Sequence, residues 1–348
     1  MKAARLHNYN EDLKLDQVDE PKVSGPHDVL VKIGAAGLCR TDLHIRDADW
    51  KGVQDGAGLK LPYILGHENA GWVEEVGSAV DNVEVGDAVI LHPLINCGLC
   101  RACRAGDDMH CANGVFPGLV VDGGFADLLL TSARNCIKLD PGLHPKDVAA
   151  HADAGLTAYH AVKKSIPILY PGTKAVVIGA GGLGHIALQC LKAMTPAEVI
   201  VVDKSEAALK LSEQLGADQT VVADGKHIET VKEMTDGEGT EVIFDFVGER
   251  GVEKEAPQML RNGGTYYVIG YGGALDVLTH TMIFSEINFV GNLVGTFNDL
   301  AELMTLAAQN KVTLHTSTYP LDAVNDAMHD LDGGRLQGRG ILVPEGAA

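Results

Sequence analysis

The chain has 348 residues, 46% of them hydrophobic and 22% charged, with a formal net charge of −19. That length exceeds what one hydrophobic core usually serves, so two domains are expected, and the ordinary apolar content excludes extended disorder. The strong negative charge repels phosphate backbones and anionic membranes, which argues against nucleic-acid and membrane partners.

The opening run Met1-Lys-Ala-Ala-Arg-Leu-His7 lacks the apolar stretch of a secretory signal. From there to about Ala150, short β-like runs are broken by Gly, Pro and Asp. Val29–Ile33, Gly71–Val76 and Asp87–Leu91, with turn signals such as Val85-Gly-Asp87, predict a mostly antiparallel β domain. Within it, Cys97-Gly-Leu-Cys100-Arg-Ala-Cys103 and Cys111 have the spacing C-x2-C-x2-C-x7-C. Four thiolates this close can complete a tetrahedral zinc shell with no open position, the form that structural sites take. An iron–sulfur cluster uses similar ligands; we assign structural zinc. Seven cysteines, four of them in this run, fit a reducing compartment, so the chain is expected in the cytoplasm.

From about Gly172 the pattern becomes strand, helix, strand, helix. Lys174–Gly179, Glu198–Asp203, Thr220–Ala223, Glu241–Asp245 and Thr265–Ile269 read as strands. Leu183–Met194 has helical periodicity, and Ser205 caps a helix over Glu206–Leu215 that Gly216 ends. This alternation predicts a parallel sheet with helices on both faces. The longest apolar stretch, Ala175 to Leu191, is interrupted by glycines, His185 and Gln189 and is not a membrane span. A helix over Asn298–Asn310 and an apolar ending over Gly338–Pro344 are expected to rejoin the first domain.

Gly179-Ala-Gly181-Gly182-Leu183-Gly184 joins the first strand of the second region to its helix. Such glycines let the backbone turn tightly and approach a pyrophosphate, held at the positive end of the helix. Asp203 closes the next strand 19 residues after Gly184, where a carboxylate can bind ribose hydroxyls. A tight turn followed by a solvated aspartate is the plain alternative, but strand, glycines, helix, strand and acid in order favour a dinucleotide. Asp203 repels a 2′-phosphate and so favours NAD over NADP; Lys204 beside it offsets part of that repulsion.

Two scattered pieces remain. Gly37-Leu-Cys39-Arg40-Thr41-Asp42-Leu-His44 offers a thiol, a hydroxyl and an imidazole, and Gly66-His67-Glu68 offers an imidazole and a carboxylate. Together with the cysteine run, the glycine loop and the closing Gly338-Arg-Gly, they resemble the zinc-dependent medium-chain alcohol dehydrogenases over nearly the whole chain. The resemblance implies an α/β fold: a GroES-like β-rich catalytic domain (1–153 and 296–348) and a Rossmann doubly wound parallel-sheet cofactor domain (154–295). It implies two zinc ions per subunit, and Cys39, His67 and Asp153 match the ligands of the catalytic one. Asp153 stands where the family often has cysteine. Glu68 matches a carboxylate that exchanges with water at the metal, and Asp42 the partner that orients His67. Arg40 and Arg339 resemble pyrophosphate contacts, and Thr157 is expected beside the nicotinamide. Phe297 replaces an arginine common in bacterial relatives, so one cofactor contact is missing. Cys136 and Cys190 are read as packing residues.

The implied reaction is reversible NAD-linked oxidation of primary and secondary alcohols to aldehydes or ketones, with hydride passing to nicotinamide C4. Thr41 is expected to take the alcohol proton and pass it through a ribose hydroxyl to His44 at the solvent edge; a plain surface histidine is the alternative. Trp50, His92 and Leu119 are guessed to line the substrate pocket. A zinc-dependent polyol dehydrogenase, a zinc-free quinone or enone reductase, and a non-catalytic binding protein on the same scaffold are the rivals. A homo-oligomer, tetramer or dimer, formed through the cofactor-domain sheet is implied as well.

Overall fold

The computed structural model describes residues 1–347. The chain divides into two compact units, Met1–Leu156 with Gly295–Ala348, and Thr157–Val294. The sequence reading drew these borders at 153/154 and 295/296; the observed ones fall within the helix Ala154–Ser165 and directly before Gly295. The first unit contains β1 (Lys2–Leu6), β2 (Lys14–Gln17), β3 (Asp28–Leu38), β4 (Tyr63–Ile64), β5 (Glu68–Val76), β6 (Ala88–Leu91), β7 (Leu128–Ser132) and β8 (Cys136–Lys138). The second contains β9 (Lys174–Ile178), β10 (Glu198–Asp203), β11 (Gln219–Val222), β12 (Thr240–Asp245), β13 (Leu260–Val268) and β14 (Asn288–Gly291). The chain returns to the first unit for β15 (Thr316–Pro320) and β16 (Arg339–Val343).

In the first unit the larger sheet runs β15-β16-β3-β5-β6-β8, with β7 also pairing β3. All its pairings are antiparallel except that of β15 with β16. β3 is its organising strand. Its apolar positions Val29, Val31 and Ile33 alternate with Lys32 at the exposed face and join Leu6, Tyr63, Leu65 and Phe125 in one core. β3 runs on to Leu38, well past the Ile33 expected from sequence, through Gly-Ala-Ala-Gly. Small residues have low strand propensity, but here close neighbours exclude larger ones. A Cβ on Gly34 would meet the Trp72 ring at 2.8 Å, and one on Gly37 would meet Glu68 Oε2 at 2.0 Å.

The second unit is a parallel six-stranded sheet in the order β11-β10-β9-β12-β13-β14. Strands buried on both faces become continuously apolar, as Ala-Val-Val-Ile in β9 and Val-Ile-Val-Val in β10 are. Ser205 accepts a hydrogen bond from Ala208 N and starts the helix Glu206–Gln214, and Gly216 leaves it at φ 96°. The strand order reverses between β9 and β12. In doubly wound sheets a ligand binds outside the strand ends at such a point. Among the described residues no helix is long and apolar enough to cross a membrane.

Candidate active site

β3 ends at Leu38, and Cys39 stands as the N-cap of the short helix Arg40–Arg46. Asp42 Oδ2 accepts the Cys39 backbone N–H at 2.8 Å, fixing the thiol's backbone at the strand end. β5 starts at Glu68, opposite Gly37, so His67 and Glu68 are delivered beside Cys39 by strand register. Asp153 precedes the helix Ala154–Ser165. Donor atoms of Cys39, His67, Glu68 and Asp153 all lie within 4.8 Å of one another. His67 Nε2 is 3.5 Å from Asp153 Oδ2, and its Nδ1 is 3.5 Å from Asp42 Oδ1.

This donor set fits a cation. A thiol and two carboxyl groups converge in a region where Cys39, His67 and Glu68 are each at most 6% exposed. Gathered anions that deep need a positive charge among them. Arg339 supplies one against Glu68, and His67, facing Asp42 and Asp153, can supply another. Burial disfavours its imidazolium, yet Asp42 and Asp153 outweigh burial and hold its pKa well above the ordinary value. His67 Nδ1 and Asp42 Oδ1 are buried and make no hydrogen bond at their 3.5 Å separation. They face each other as a metal-ligating histidine and its orienting carboxylate do. A neutral ring, with Nε2 as ligand and Nδ1–H donating to Asp42, satisfies both atoms.

Glu68 is otherwise engaged. Arg339 donates to both of its oxygens, through Nε to Oε2 at 3.0 Å and through Nη2 to Oε1, and Ala154 N donates to Oε1 at 3.0 Å. Burial pushes the Glu68 carboxyl up and Arg339 pulls it down. With both oxygens receiving N–H groups, the ionised form is the one the geometry supports. Burial opposes the Arg339 charge, but Glu68 outweighs it and holds the guanidinium protonated. The sequence reading gave Arg339 to the pyrophosphate and missed this clasp. It arises because β3 pairs with β5 through Gly37 and with β16 through Leu38 and Gly340, which places residues 68 and 339 together.

Thr41 is 9% exposed, with Oγ1 3.5 Å from Cys39 Sγ. His44 is half-buried, and its Nδ1 lies 2.8 Å from Asp49 Oδ2, a partner not foreseen from sequence. Arg40 is exposed at the first position of its helix. Leu119 and Trp50 pack in or against the first unit's core. His92 is committed to backbone, with Nδ1 3.2 Å from Leu94 O and Nε2 3.0 Å from Gly295 O. Phe297 is the first residue of the helix Phe297–Ala308, which Thr296 caps, and its N–H donates to Asp108.

The four-cysteine lobe is half-buried. Its Sγ atoms are separated by 3.5 Å (Cys100 to Cys103), 3.5 Å (Cys111 to Cys97) and 4.0 Å (Cys100 to Cys111). Sulfurs on a tetrahedral zinc stand about 3.8 Å apart, so the spacing suits that ion. N–H groups of Leu99 and Cys100 hold the Cys97 thiol down at about 6, while burial and neighbouring thiols push Cys103 up to about 12. Cys136, pushed up to about 12 by burial, and Cys190, pushed higher, are inert packing thiols.

In the second unit, Gly179 follows β9 at φ 86° and Gly184 opens the helix Gly184–Met194. A Cβ on Gly184 would meet Gly179 O at 1.8 Å, so the turn closes only with glycine there. A Cβ on Gly181 would meet nothing within 4 Å, which leaves that side open to a ligand. His185 Nδ1 lies 2.8 Å from Gly181 O and steadies the loop from beneath, a role the sequence did not disclose. Asp203 Oδ2 accepts from Ala180 N at 2.6 Å and Oδ1 from Ser205 N at 2.8 Å, so the carboxylate is fixed at the end of β10. Asn292 Nδ2 donates to Thr157 O at 3.2 Å.

A β-rich unit with two donor clusters for metal and a doubly wound unit with a dinucleotide loop define a metal-dependent, dinucleotide-linked dehydrogenase. Known proteins agree. Residues 25–141 match the alcohol dehydrogenase GroES-like domain, and residues 182–309 match the zinc-binding dehydrogenase family. A NAD-dependent alcohol dehydrogenase of Sulfolobus acidocaldarius is 36% identical over 98% of this chain and 99% of its own. A D-arabinose 1-dehydrogenase (NADP(+)) of Saccharolobus solfataricus is 35% identical over 99% of this chain and 97% of its own. The crystal structure of the alcohol dehydrogenase of Aeropyrum pernix superposes with a TM-score of 0.95 at 48% identity, covering 99% of this chain and 100% of that one. The chain belongs to the zinc-dependent medium-chain alcohol dehydrogenase family and is an oxidoreductase.

Proposed function

We propose that this chain is a NAD-linked alcohol dehydrogenase that interconverts primary and secondary alcohols with aldehydes and ketones, using one catalytic and one structural zinc per subunit. The convergence of Cys39, His67, Glu68 and Asp153 within 4.8 Å carries the reading. When bound, zinc supplies a Lewis acid for the substrate oxygen and NAD a hydride acceptor.

The chain's own residues do the rest. Cys39, His67 and Asp153 hold the metal, and Asp42 keeps the His67 ring in register for it. Arg339 and Ala154 N keep Glu68 on the protein side, so Asp153 is the resting carboxylate ligand and Glu68 the reserve. Thr41 Oγ1 receives the substrate proton and hands it towards His44, whose ring Asp49 orients through Nδ1. Gly179, Gly181, Gly182, Leu183 and Gly184 cradle the pyrophosphate. Asp203 and Lys204 take the adenosine ribose, and Thr157 borders the nicotinamide.

A second reading, a polyol or sugar dehydrogenase, is favoured by the similarity to D-arabinose 1-dehydrogenase. NADH oxidation against aldehydes, ketones and ketoses, and NAD reduction against alcohols, polyols and aldoses, decide between them. Turnover of simple alcohols or carbonyls that a chelator abolishes supports the first, and turnover confined to sugars or polyols supports the second. Absence of any turnover removes both. A homo-oligomer, tetramer or dimer, built on the β14 edge is also proposed. Leu278, Ile283 and Phe284, which precede β14 in the chain, are 62%, 71% and 83% exposed and would gain from cover. Four clustered thiols support a reducing, cytoplasmic setting.

A further inference from the structure

The segment between the helix Arg40–Arg46 and β4 carries Asp49, whose Oδ2 lies 2.8 Å from His44 Nδ1, and runs on into the short helix Lys51–Gly56. Little in that helix holds it in place. It has six residues, two of them glycine, and no side chain caps its start, and such a helix does not persist unaided. Ahead of it Ala48 sits at φ 67°, a left-handed backbone that a residue with a side chain keeps only where its surroundings impose it. Asp49 has no packing of its own, since its side chain is 60% exposed. Its place on His44 therefore depends on the backbone that bears it.

That backbone is moored chiefly through one side chain. Within the helix every residue but Gln54 is exposed, and Gln54 is 1% exposed. Its amide is used at both ends: Tyr9 OH donates to Oε1 at 2.9 Å, and Nε2 donates to Tyr63 OH at 2.6 Å. Tyr9 packs against the first unit's core, and Tyr63 lies in β4, opposite Leu6 of β1, so both ends of the tie are fixed in the β-rich unit. Lys51 Nζ, 5.8 Å from the centre of the Tyr9 ring, adds a weaker hold. Burial, with the Asp42 carboxylate nearby, keeps the Tyr63 phenol protonated, so the tie stays neutral. Leaving a buried amide unpaired costs more than its bonds contribute when made, so the helix stays where the two tyrosines set it. Asp49 N donates to His44 O at 2.9 Å, and Val53 N and Gln54 N donate to Trp50 O at 2.9 and 3.2 Å, which stiffens the stretch from Gln54 back to His44.

We propose that Gln54 is a positioning residue of the reaction: its hold on Tyr9 and Tyr63 fixes the helix Lys51–Gly56 and thereby keeps Asp49 on His44 for the proton hand-off. The proposal rests on the dehydrogenase reading and its Thr41–His44 relay. Gln54 touches neither substrate nor cofactor in this account. It acts through the backbone that carries Asp49.

The test joins kinetics to fluorescence. Trp50 lies between Asp49 and the helix, and in a Trp72→Phe parent it is the only tryptophan. Gln54→Met keeps the length of the side chain and loses both hydrogen bonds. In that parent it should raise acrylamide quenching of Trp50 about twofold. It should also lower kcat/KM for the alcohol about tenfold, with KM for NAD unmoved. The decisive comparison is with Asp49→Ala, to whose effect Gln54→Met should add less than about twofold, because both act at one contact. A merely structural Gln54 gives independent factors that multiply, and that result overturns the proposal. Unchanged quenching or unchanged kcat/KM in Gln54→Met overturns it too. Should Gln54→Met fail to fold, Tyr9→Phe removes one of the two bonds and should show the same non-additivity with a factor of about three. If the parent turns over no alcohol or carbonyl, the dehydrogenase reading fails and takes the proposal with it; an active parent with multiplying variants overturns the proposal alone.

Discussion

The lobe thiols come from one short run, Cys97 to Cys111, while the second donor set is drawn from Cys39, His67, Glu68 and Asp153, on three separate segments. The lobe is half-buried and all sulfur. The second set is mixed in chemistry, and three of its four members are buried. A local run of identical donors can close around an ion almost regardless of what surrounds it, leaving no position for a substrate. A scattered, mixed set exists only because a whole sheet holds it, and the sheet can keep one donor back, as Arg339 does with Glu68. On the proposed function, one cluster stabilises and the other reacts.

The largest effect expected from this contrast is on turnover. Cys39→Ala should lower kcat/KM by about 10³-fold or more while leaving the lobe's zinc and the folded state in place. A variant that keeps a tenth of wild-type activity would break the contrast at its reactive end. Cys111→Ser addresses the other end. It should cost about 3 kcal/mol or more of stability, a fall of ~6–12 °C in Tm, with turnover per folded molecule preserved at 25 °C. If turnover fell while Tm held, the two clusters would have exchanged roles.

Asp42→Asn sharpens the comparison, because the lobe has no counterpart to the His67–Asp42 pair. Zinc affinity at the reactive site should drop about 10–100-fold, read by competition with a chelator, with the lobe's affinity unmoved. Equal weakening of both sites would mean that Asp42 acts through general stability. The smallest effect is on the strand that delivers Cys39 without touching either cluster. Backbone N–H groups of Gly25 and Ser24 hold the Asp28 carboxyl below its usual value. A depressed folded pKa gives stability that is present above the unfolded value and lost as pH falls through the folded one. Asp28→Asn should therefore cost less than ~1 kcal/mol at neutral pH and flatten the loss of stability below about pH 4. An unchanged acid unfolding curve would contradict it.

The same contrast explains what could be read without coordinates. The cysteine run, the glycine loop with Asp203 and the Ser205 cap are local patterns whose spacing is their geometry. Cys39, His67 and Asp153 were assembled only through a family likeness, since no local rule joins them. The Arg339–Glu68 clasp escaped because it depends on the registers of β5 and β16 against β3. The far half of β3 escaped because Gly-Ala-Ala-Gly looks unlike a strand. Gly37 is there to leave room for the Glu68 carboxylate, a need written in residue 68 and not in its neighbours. His185 under Gly181 and Asp49 beside His44 lie within a few residues of their partners, but only the folded backbone brings each pair together.

Native mass spectrometry of the purified chain, wild type and Cys39→Ala, tests the central claim most directly by counting zinc per subunit. Two ions in the wild type and one in the variant, the survivor resisting chelation, is the predicted result. A single ion in the wild type that Cys39→Ala leaves untouched would mean that the scattered donors hold no metal, and the account of the reactive site would fall.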